Sequence, residues 1–249
     1  MSEKYAFFID IDGTLLTEGI IPKKNKEAIS YAREKGHLVF INTGRSLECI
    51  PGEVREMEFD GIVSGMGCCV IYRGEKVLSV DMPHEELAEL FDYFDKRNMK
   101  FFIEGEDVLL SNYNIYSSVI IKGGEELLTT YKDNILSKVF MPHYLSTEHR
   151  KMLEEKYEFI QHENYCEFCP RGYSKATGMK KVSDICGIPL SRCVAVGDSV
   201  NDAEMMKAAG ISAAMGDGDD CIKKICSFVS CDARDGGMGE AIYKIIDKI

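Results

Sequence analysis

The sequence predicts an α/β fold in which an open parallel sheet, flanked by helices, is interrupted by an inserted α+β segment. Three observations carry that prediction. Short apolar runs at residues 6–9, 37–42 and 192–196 read as strands buried on both faces. Helix-like stretches separate such strands at both ends of the chain, in the order strand, helix, strand. Between residues 83 and 169 this alternation gives way to strand-rich chain with helices interspersed. The expected division is therefore 1–82 and 170–249 for the core, with 83–169 as the insertion.

The first strand, Ala6 to Ile9, stops at Asp10-Ile11-Asp12-Gly13-Thr14. In an open parallel sheet the loop after a strand's carboxyl end faces the ligand site. Two aspartates there can hold a divalent cation, and one can attack an electrophile; the same residues also suit a plain Asx-rich turn. Lys23 to Lys35 is helix-like, with Ala28, Ile29 and Ala32 on one face and Gly36 as a stop. The second strand, His37 to Asn42, runs into Thr43-Gly44-Arg45. This is a βαβ unit with a right-handed crossover, so the core is Rossmann-like. A helix from about Leu47 to Glu58 follows, then a short strand at Gly61 to Ser64. A hairpin comes next, from Cys69 to Tyr72 and Lys76 to Val80, turning at Arg73-Gly74-Glu75.

Beyond Pro83 an amphipathic helix spans His84 to Asn98, with Leu87, Leu90, Phe91 and Phe94 on one stripe. Strands are expected at Lys100 to Ile103, Val108 to Ser111, Val119 to Ile121, Lys138 to Met141, Glu158 to His162 and Tyr165 to Phe168. Helices are expected at Glu125 to Lys132 and Thr147 to Lys156. From Arg171 the alternating pattern resumes with a helix from Ser174 to Cys186 and a strand from Arg192 to Val196. Gly197-Asp198-Ser199-Val200-Asn201-Asp202 then opens a helix to Ala209. A strand at Ile211 to Met215, a helix at Asp219 to Cys226 and a strand at Phe228-Val229 follow. The last helix carries Ile242, Ile245, Ile246 and Ile249 on one stripe.

Composition narrows the function classes. The 249 residues carry a formal charge of −11 and no long Lys/Arg tract, which argues against a nucleic-acid surface. No apolar stretch approaches the roughly 18 residues of a membrane span, and the run after Met1-Ser2-Glu3-Lys4 breaks at Asp10, unlike a signal peptide. The default location is cytoplasmic. The ten cysteines are scattered, with Cys166-x-x-Cys169 the only metal-like spacing, and read as reduced, mostly buried thiols. The five histidines fall outside the motifs, so no histidine triad is indicated.

Three strand ends thus carry reactive side chains: Asp10 and Asp12, Thr43, and Asp198. Parallel winding gathers such ends at one sheet edge, giving a cation site beside a carboxylate nucleophile and a hydroxyl donor. Asp10 and Asp198 suit Mg²⁺, a hard cation satisfied by few carboxylates. Thr43, the Gly44 amide and Lys175 can neutralise phosphoryl oxygens. Each also has a plain reading: a turn at Thr43-Gly44, a solvated charge at Lys175, a helix N-cap at Asn201-Asp202.

The ordered set Asp10-Ile11-Asp12-Gly13-Thr14, Thr43-Gly44-Arg45, Lys175 and Gly197-Asp198-Ser199-Val200-Asn201-Asp202 resembles the four motifs of the haloacid dehalogenase superfamily. The insertion and Pro170-Arg171-Gly172-Tyr173-Ser174-Lys175-Ala176-Thr177-Gly178 look like the Cof-type phosphatases with a C2B cap. The resemblance implies Asp10 as nucleophile through an aspartyl phosphate and Asp12 as acid and base, its main-chain carbonyl also ligating Mg²⁺. It implies Thr43, Gly44, Lys175 and Asn201 around the phosphoryl oxygens, Asp198 completing the metal site, and Asp202 supporting from behind. One departure is Met66, at the position where many Cof-type sequences have Asn. Arg45 either touches substrate or braces its loop. The expected activity is Mg²⁺-dependent hydrolysis of a small phosphorylated metabolite, such as a sugar phosphate or pyridoxal phosphate, by a monomer or weak homo-oligomer. A phosphomannomutase-like transferase and a non-catalytic metabolite-binding protein are the alternatives; intact Asp10, Asp12, Lys175 and Asp198 speak against the last. In the insertion, Glu104, Asn112 and Tyr113 are expected in loop-like positions that could face the site.

Overall fold

The computed structural model describes residues 3–114 and 118–249; Met1 and Ser2, which open the N-terminal segment considered above, lie outside the described residues. The first stretch of chain forms β1 (Ala6–Ile9), α1 (Lys23–Glu34), β2 (Leu38–Asn42), one-turn α2 (Gly52–Arg55), β3 (Gly61–Ser64), and the hairpin β4 (Cys69–Tyr72) and β5 (Glu75–Ser79). The middle forms α3 (His84–Asp95), β6 (Phe102–Gly105), β7 (Leu109–Ser111), β8 (Val119–Ile120), α4 (Glu125–Thr129), β9 (Leu136–Met141), α5 (Thr147–Glu154), β10 (Tyr157–Gln161) and β11 (Cys166–Pro170). The last stretch forms α6 (Lys175–Cys186), β12 (Cys193–Gly197), α7 (Ala203–Ala208), β13 (Ile211–Ala214), α8 (Asp220–Lys223), β14 (Phe228–Val229) and α9 (Gly237–Ile246).

Two sheets result. The larger has the order β14-β13-β12-β1-β2-β3-β4-β5, with β1 to β3 and β12 to β14 parallel and the β4–β5 hairpin antiparallel. β1 is central because all four of its residues are apolar and fully buried. Phe7 and Ile9 pack under α1 and α9, while Ala6 and Phe8 face the opposite layer with Met179 and Met205. Phe8 stacks on Phe40 at 5.0 Å. Truncating such a ring to alanine costs about 3–5 kcal/mol. The chain winds outward from β1 through β2 and β3, then returns to wind the other way from β12, which makes the β1/β12 boundary a topological switch point. Register places Ile9 level with Ile41 and with Val196, so Asp10, Thr43 and Asp198 emerge at one edge.

The smaller sheet, β10-β11-β9-β6-β7-β8, is antiparallel apart from β7–β8 and is covered by helices on one face. Its apolar face joins Leu87, Phe91 and Phe94 of α3 to Ile103, Val139 and Phe168, a core separate from those of the larger sheet. No helix among the described residues is long and apolar enough to cross a membrane. All ten cysteines are free, five of them buried and Cys221 exposed.

Three expectations fail locally. The helix expected over residues 47–58 shrinks to Gly52–Arg55. Pro51 disfavours helical backbone before it, and the Arg55 guanidinium donates to the carbonyls of Leu47, Glu48 and Ile50 at 2.6–2.9 Å, satisfying an irregular loop instead. The first strand of the insertion starts at Phe102 rather than Lys100 and continues to Gly105, so Glu104 lies in a strand and not a loop. Ile249 lies beyond α9 and is 40% exposed, so it does not belong to that helix's apolar stripe.

Candidate active site

The loop after β1 folds back on itself. Leu15 N–H donates to the Asp10 carbonyl and Leu16 N–H to the Ile11 carbonyl, with Gly13 in the left-handed region at φ +72°. Glycine is required there twice over, because a Cβ would lie 2.5 Å from Asp198 Oδ2. Asn25 of α1, fully buried, donates to the Thr14 and Leu15 carbonyls and accepts from Gly239 N–H of α9. That residue is a support the sequence reading missed: a polar side chain inside an otherwise apolar helix stripe was the available signal.

Ser174 caps α6 with a reciprocal Ser174–Thr177 capping box, which fixes Lys175 as the first helical residue. The helix start packs so closely on the loop after β3 that a Cβ on Gly67, at φ +89°, would strike the Ser174 carbonyl. Lys175 is thereby buried, and its three ammonium protons meet Asp10 Oδ1 at 2.8 Å, Asp202 Oδ1 at 2.7 Å and Asn201 Oδ1 at 2.8 Å. Asp202 is fully buried and saturated, since its Oδ2 accepts the N–H groups of Asp198 and Ser199 at 3.0 and 3.1 Å. Asp198 Oδ1 accepts from the Thr14 hydroxyl at 2.9 Å.

Asp10, Asp198 and Asp202 each place a carboxylate oxygen within 4.8 Å of the others. Burial, with the neighbouring Asp202 charge, raises the Asp198 carboxyl to about 7. Burial also drives Asp10 well above the ordinary carboxylate range, against the pull of Lys175 and with the push of Asp202 and Asp198. Lys175 is held above its ordinary value by Asp10 and Asp202, which outweigh its own burial. Two buried carboxylates and a half-buried third beside one ammonium are short of positive charge, and that deficit suits a divalent cation. The donor set fits: Asp202 is committed to protein donors, whereas Asp10 and Asp198 each keep an oxygen without a hydrogen-bond partner among the described residues.

Thr43 is fully buried, and its Oγ1 accepts Arg45 N–H at 3.1 Å, leaving the hydroxyl proton available. Arg45 grips Asp12 with a two-pronged fork, Nε to Oδ2 at 2.6 Å and Nη2 to Oδ1 at 2.7 Å, and donates to the Cys49 carbonyl at 2.9 Å. Arg45 therefore braces the Asp12 side chain. Met66 adopts the turn normally suited to Asn, at φ 57° and ψ 33°, as a buried residue. The turn forms without Asn, at a cost of about 1–2 kcal/mol for left-handed backbone.

A cavity of about 990 Å³ joins these groups to the smaller sheet and is lined by Asp10, Asp12, Thr43, Gly44, Asp198 and Asn201 on one side. Opposite them stand Phe102, Glu104, Lys138, Phe140, Tyr165 and Glu167. Of the insertion residues singled out from sequence, only Glu104 lines it. Asn112 is bound to Asp95, Met99 and the Phe101 N–H within the insertion, and the Tyr113 ring packs on Phe102 at 5.2 Å. A second cavity of about 580 Å³ reaches Lys175 and Asn201 from the side of β10.

Known proteins resemble this chain in sequence and in fold. A model of the haloacid dehalogenase-like hydrolases matches residues 7–242. The 5-amino-6-(5-phospho-D-ribitylamino)uracil phosphatase YitU of Bacillus subtilis is 24% identical, covering 95% of this chain and 96% of its own. A haloacid dehalogenase-like hydrolase from B. subtilis superposes with a TM-score of 0.86 at 19% identity, covering 96% of this chain and 99% of that one. The subclass IIB sugar phosphatase BT4131 superposes with a TM-score of 0.84 at 22% identity, covering 97% and 98%.

Proposed function

The chain belongs to the haloacid dehalogenase-like hydrolases as a Cof-type phosphatase, and from that premise we propose that it hydrolyses small phosphate monoesters through an aspartyl phosphate on Asp10, with Mg²⁺. Residues 1–82 and 170–249 form the core in this reading, and 83–169 the cap. The supporting observation is a cavity that holds a buried carboxylate, Asp10, and a second carboxylate two residues on, with the Lys175 ammonium fixed on Asp10 at 2.8 Å from behind.

In this reading Lys175 holds Asp10 Oδ1 and so fixes the carboxylate for attack on phosphorus. As the Asp10–phosphorus bond forms, the bond to the ester oxygen breaks, and Asp12 gives that oxygen its proton. Asp12 then takes a proton from water, whose oxygen attacks the phosphorus and releases phosphate and free Asp10. The Thr43 hydroxyl and Gly44 amide donate to phosphoryl oxygens, with Asn201 assisting. Asp10, Asp198 and the Asp12 main-chain carbonyl would hold Mg²⁺, with Asp202 supporting Lys175 from behind. Bound there, the ion neutralises the excess carboxylate and phosphoryl charge. One prong of the Arg45 fork must open before proton transfer, since the fork occupies both carboxylate oxygens, while the other keeps Arg45 on Asp12.

The names of the relatives support sugar phosphates and phosphorylated ribityl-pyrimidines as substrates, with pyridoxal phosphate a third option of suitable size. Ten free cysteines support a reducing, cytoplasmic location. The deciding experiment is phosphate release from a panel of such esters with Mg²⁺ and with chelator. Asp10→Asn is expected to lower kcat by about 10⁴-fold or more and to abolish a trapped phosphoenzyme. Retained turnover in that folded variant would refute the mechanism.

A further inference from the structure

Three adjacent strands of the smaller sheet turn one face toward the cavity, and side chains two apart along a strand share that face. β6 contributes Phe102 and Glu104, and β9 contributes Lys138 and Phe140. Glu167 comes from β11 and Tyr165 from just before it. Register sets Glu104 beside Lys138, and Phe102 and Glu167 on either side of Phe140. The rings run together, with Phe102–Phe140 at 5.8 Å and Phe140–Tyr165 at 5.2 Å. The face is therefore half aromatic and half charged.

Nearly all of the charged half is already satisfied. Lys138, buried, meets Glu167 Oε2 at 2.7 Å, the Gly44 carbonyl at 2.8 Å and Glu104 Oε2 at 3.5 Å. Glu167 Oε1 accepts from His162 at 3.1 Å and Asn201 at 3.4 Å. Glu104 is different. It is 7% exposed, its Oε2 takes Ser46 N–H at 3.2 Å, and its Oε1 has no partner among the described residues while lining the cavity. On a residue buried to that degree, an oxygen open only toward the cavity favours a donor from what binds there. Glu48 and Asp107 add negative charge to the same lining, while Arg45 is committed to Asp12. The side facing a leaving group offers acceptors and ring faces, with its cations already taken.

Resting on the phosphatase reading, we infer that Glu104 is a specificity residue that accepts a hydrogen bond from a hydroxyl or amine of the leaving group, and that the site takes neutral or amine-bearing polyol phosphates while rejecting leaving groups with a carboxylate or second phosphate. Phe102, Phe140 and Tyr165 pack the carbon face of that polyol or a ring attached to it. One hydrogen bond to a charged group is worth about tenfold to a hundredfold in kcat/KM.

The test compares glucitol 6-phosphate with 6-phosphogluconate, six-carbon esters that differ at the far terminus as hydroxymethyl against carboxylate. p-Nitrophenyl phosphate, whose leaving group has no donor, serves as reference. The wild-type protein with Mg²⁺ is expected to favour glucitol 6-phosphate by about tenfold or more in kcat/KM. Glu104→Gln is expected to narrow that preference about tenfold, and to lose more on glucitol 6-phosphate than on p-nitrophenyl phosphate. Equal rates on the two six-carbon esters, beside turnover of the reference, would overturn the inference alone and require no variant. A folded Glu104→Gln that loses the same factor on all three esters would assign Glu104 to structure instead. No turnover of any ester by the wild type would remove the phosphatase reading and this inference with it.

Discussion

Two buried lysines, one in each sheet's half of the molecule, are each held by two carboxylates and one neutral oxygen. Lys175 in the core holds Asp10, Asp202 and the Asn201 amide oxygen; Lys138 in the smaller sheet holds Glu167, Glu104 and the Gly44 carbonyl. One carboxylate of each cluster nevertheless shifts in the direction opposite to the other. Burial raises Asp10 well above its ordinary range despite Lys175, whereas for Glu167 the pull of Lys138 and His162 overcomes burial and holds it well below. The difference is charge count. Asp198 stands as a third carboxylate in the core cluster, while Glu167 has the His162 ring and the Asn201 amide as further donors. One cluster sets three carboxylates around a single ammonium and suits a cation and an incoming phosphoryl group; the other sets two against one, with further neutral donors, and suits holding shape.

The sharpest way to break that contrast is to remove each ammonium. Lys175→Met is expected to lower kcat about 10³-fold, because it frees Asp10, the proposed nucleophile, and strips charge from the proposed phosphoryl site. Lys138→Met is expected to act mainly on KM and on stability, costing about 3–5 kcal/mol in a urea melt through two stranded glutamates. Added Mg²⁺ should recover stability in the Lys175 variant and not in the Lys138 variant. Equal kcat losses would mean that both clusters serve the chemistry.

A second test uses pH. An Asp198 carboxyl raised to about 7 favours the folded state below its unfolded value near 4, and that stability is lost as pH rises from about 4 to about 7. A metal must displace the same proton. The gain in Tm on adding Mg²⁺ is therefore expected to be larger at pH 8 than at pH 5.5, read by differential scanning fluorimetry. A gain that is flat across that range would place the ion elsewhere.

The smallest effect on stability should come from Arg45→Gln. Its fork on Asp12 is 36% and 54% exposed on the two side chains, so the pair contributes no more than about 1 kcal/mol to folding. Its loss should show instead as a changed kcat, about tenfold, with a shifted pH profile. A large fall in Tm would recast Arg45 as a structural residue.

The same contrast explains what could be read in advance. Asp10, Thr43 and Asp198 were legible because each follows an apolar strand, and parallel winding leaves strand ends only one place to go. Lys175 was legible through its place beside Ser174 and within an ordered set of motifs. Lys138 and Glu167 were not, because a charged residue alternating with apolar ones along a strand looks like an ordinary solvent-facing position. Only the docking of the second sheet turns that face inward. Glu104 was noticed for the wrong reason, as a loop residue, because the strand boundary was set two residues early. The shortened helix at residues 52–55 was obscured by Pro51 and by a guanidinium that replaces helical hydrogen bonds, a long-range substitution no periodicity reveals.

Asn25 bears on how the molecule is built during synthesis. Its one amide ties the carbonyls of Thr14 and Leu15 to the N–H of Gly239, 214 residues downstream of it, and β1 waits for β12 to gain its second neighbour. Contacts of such long sequence separation form late, since closing the intervening loop carries the entropy cost first. A nascent chain extended to residue 202 already contains every aspartate, threonine and lysine of the site, yet lacks the α9 amide that locks the loop after Asp10. Competence for chemistry should thus arrive only once α9 has docked.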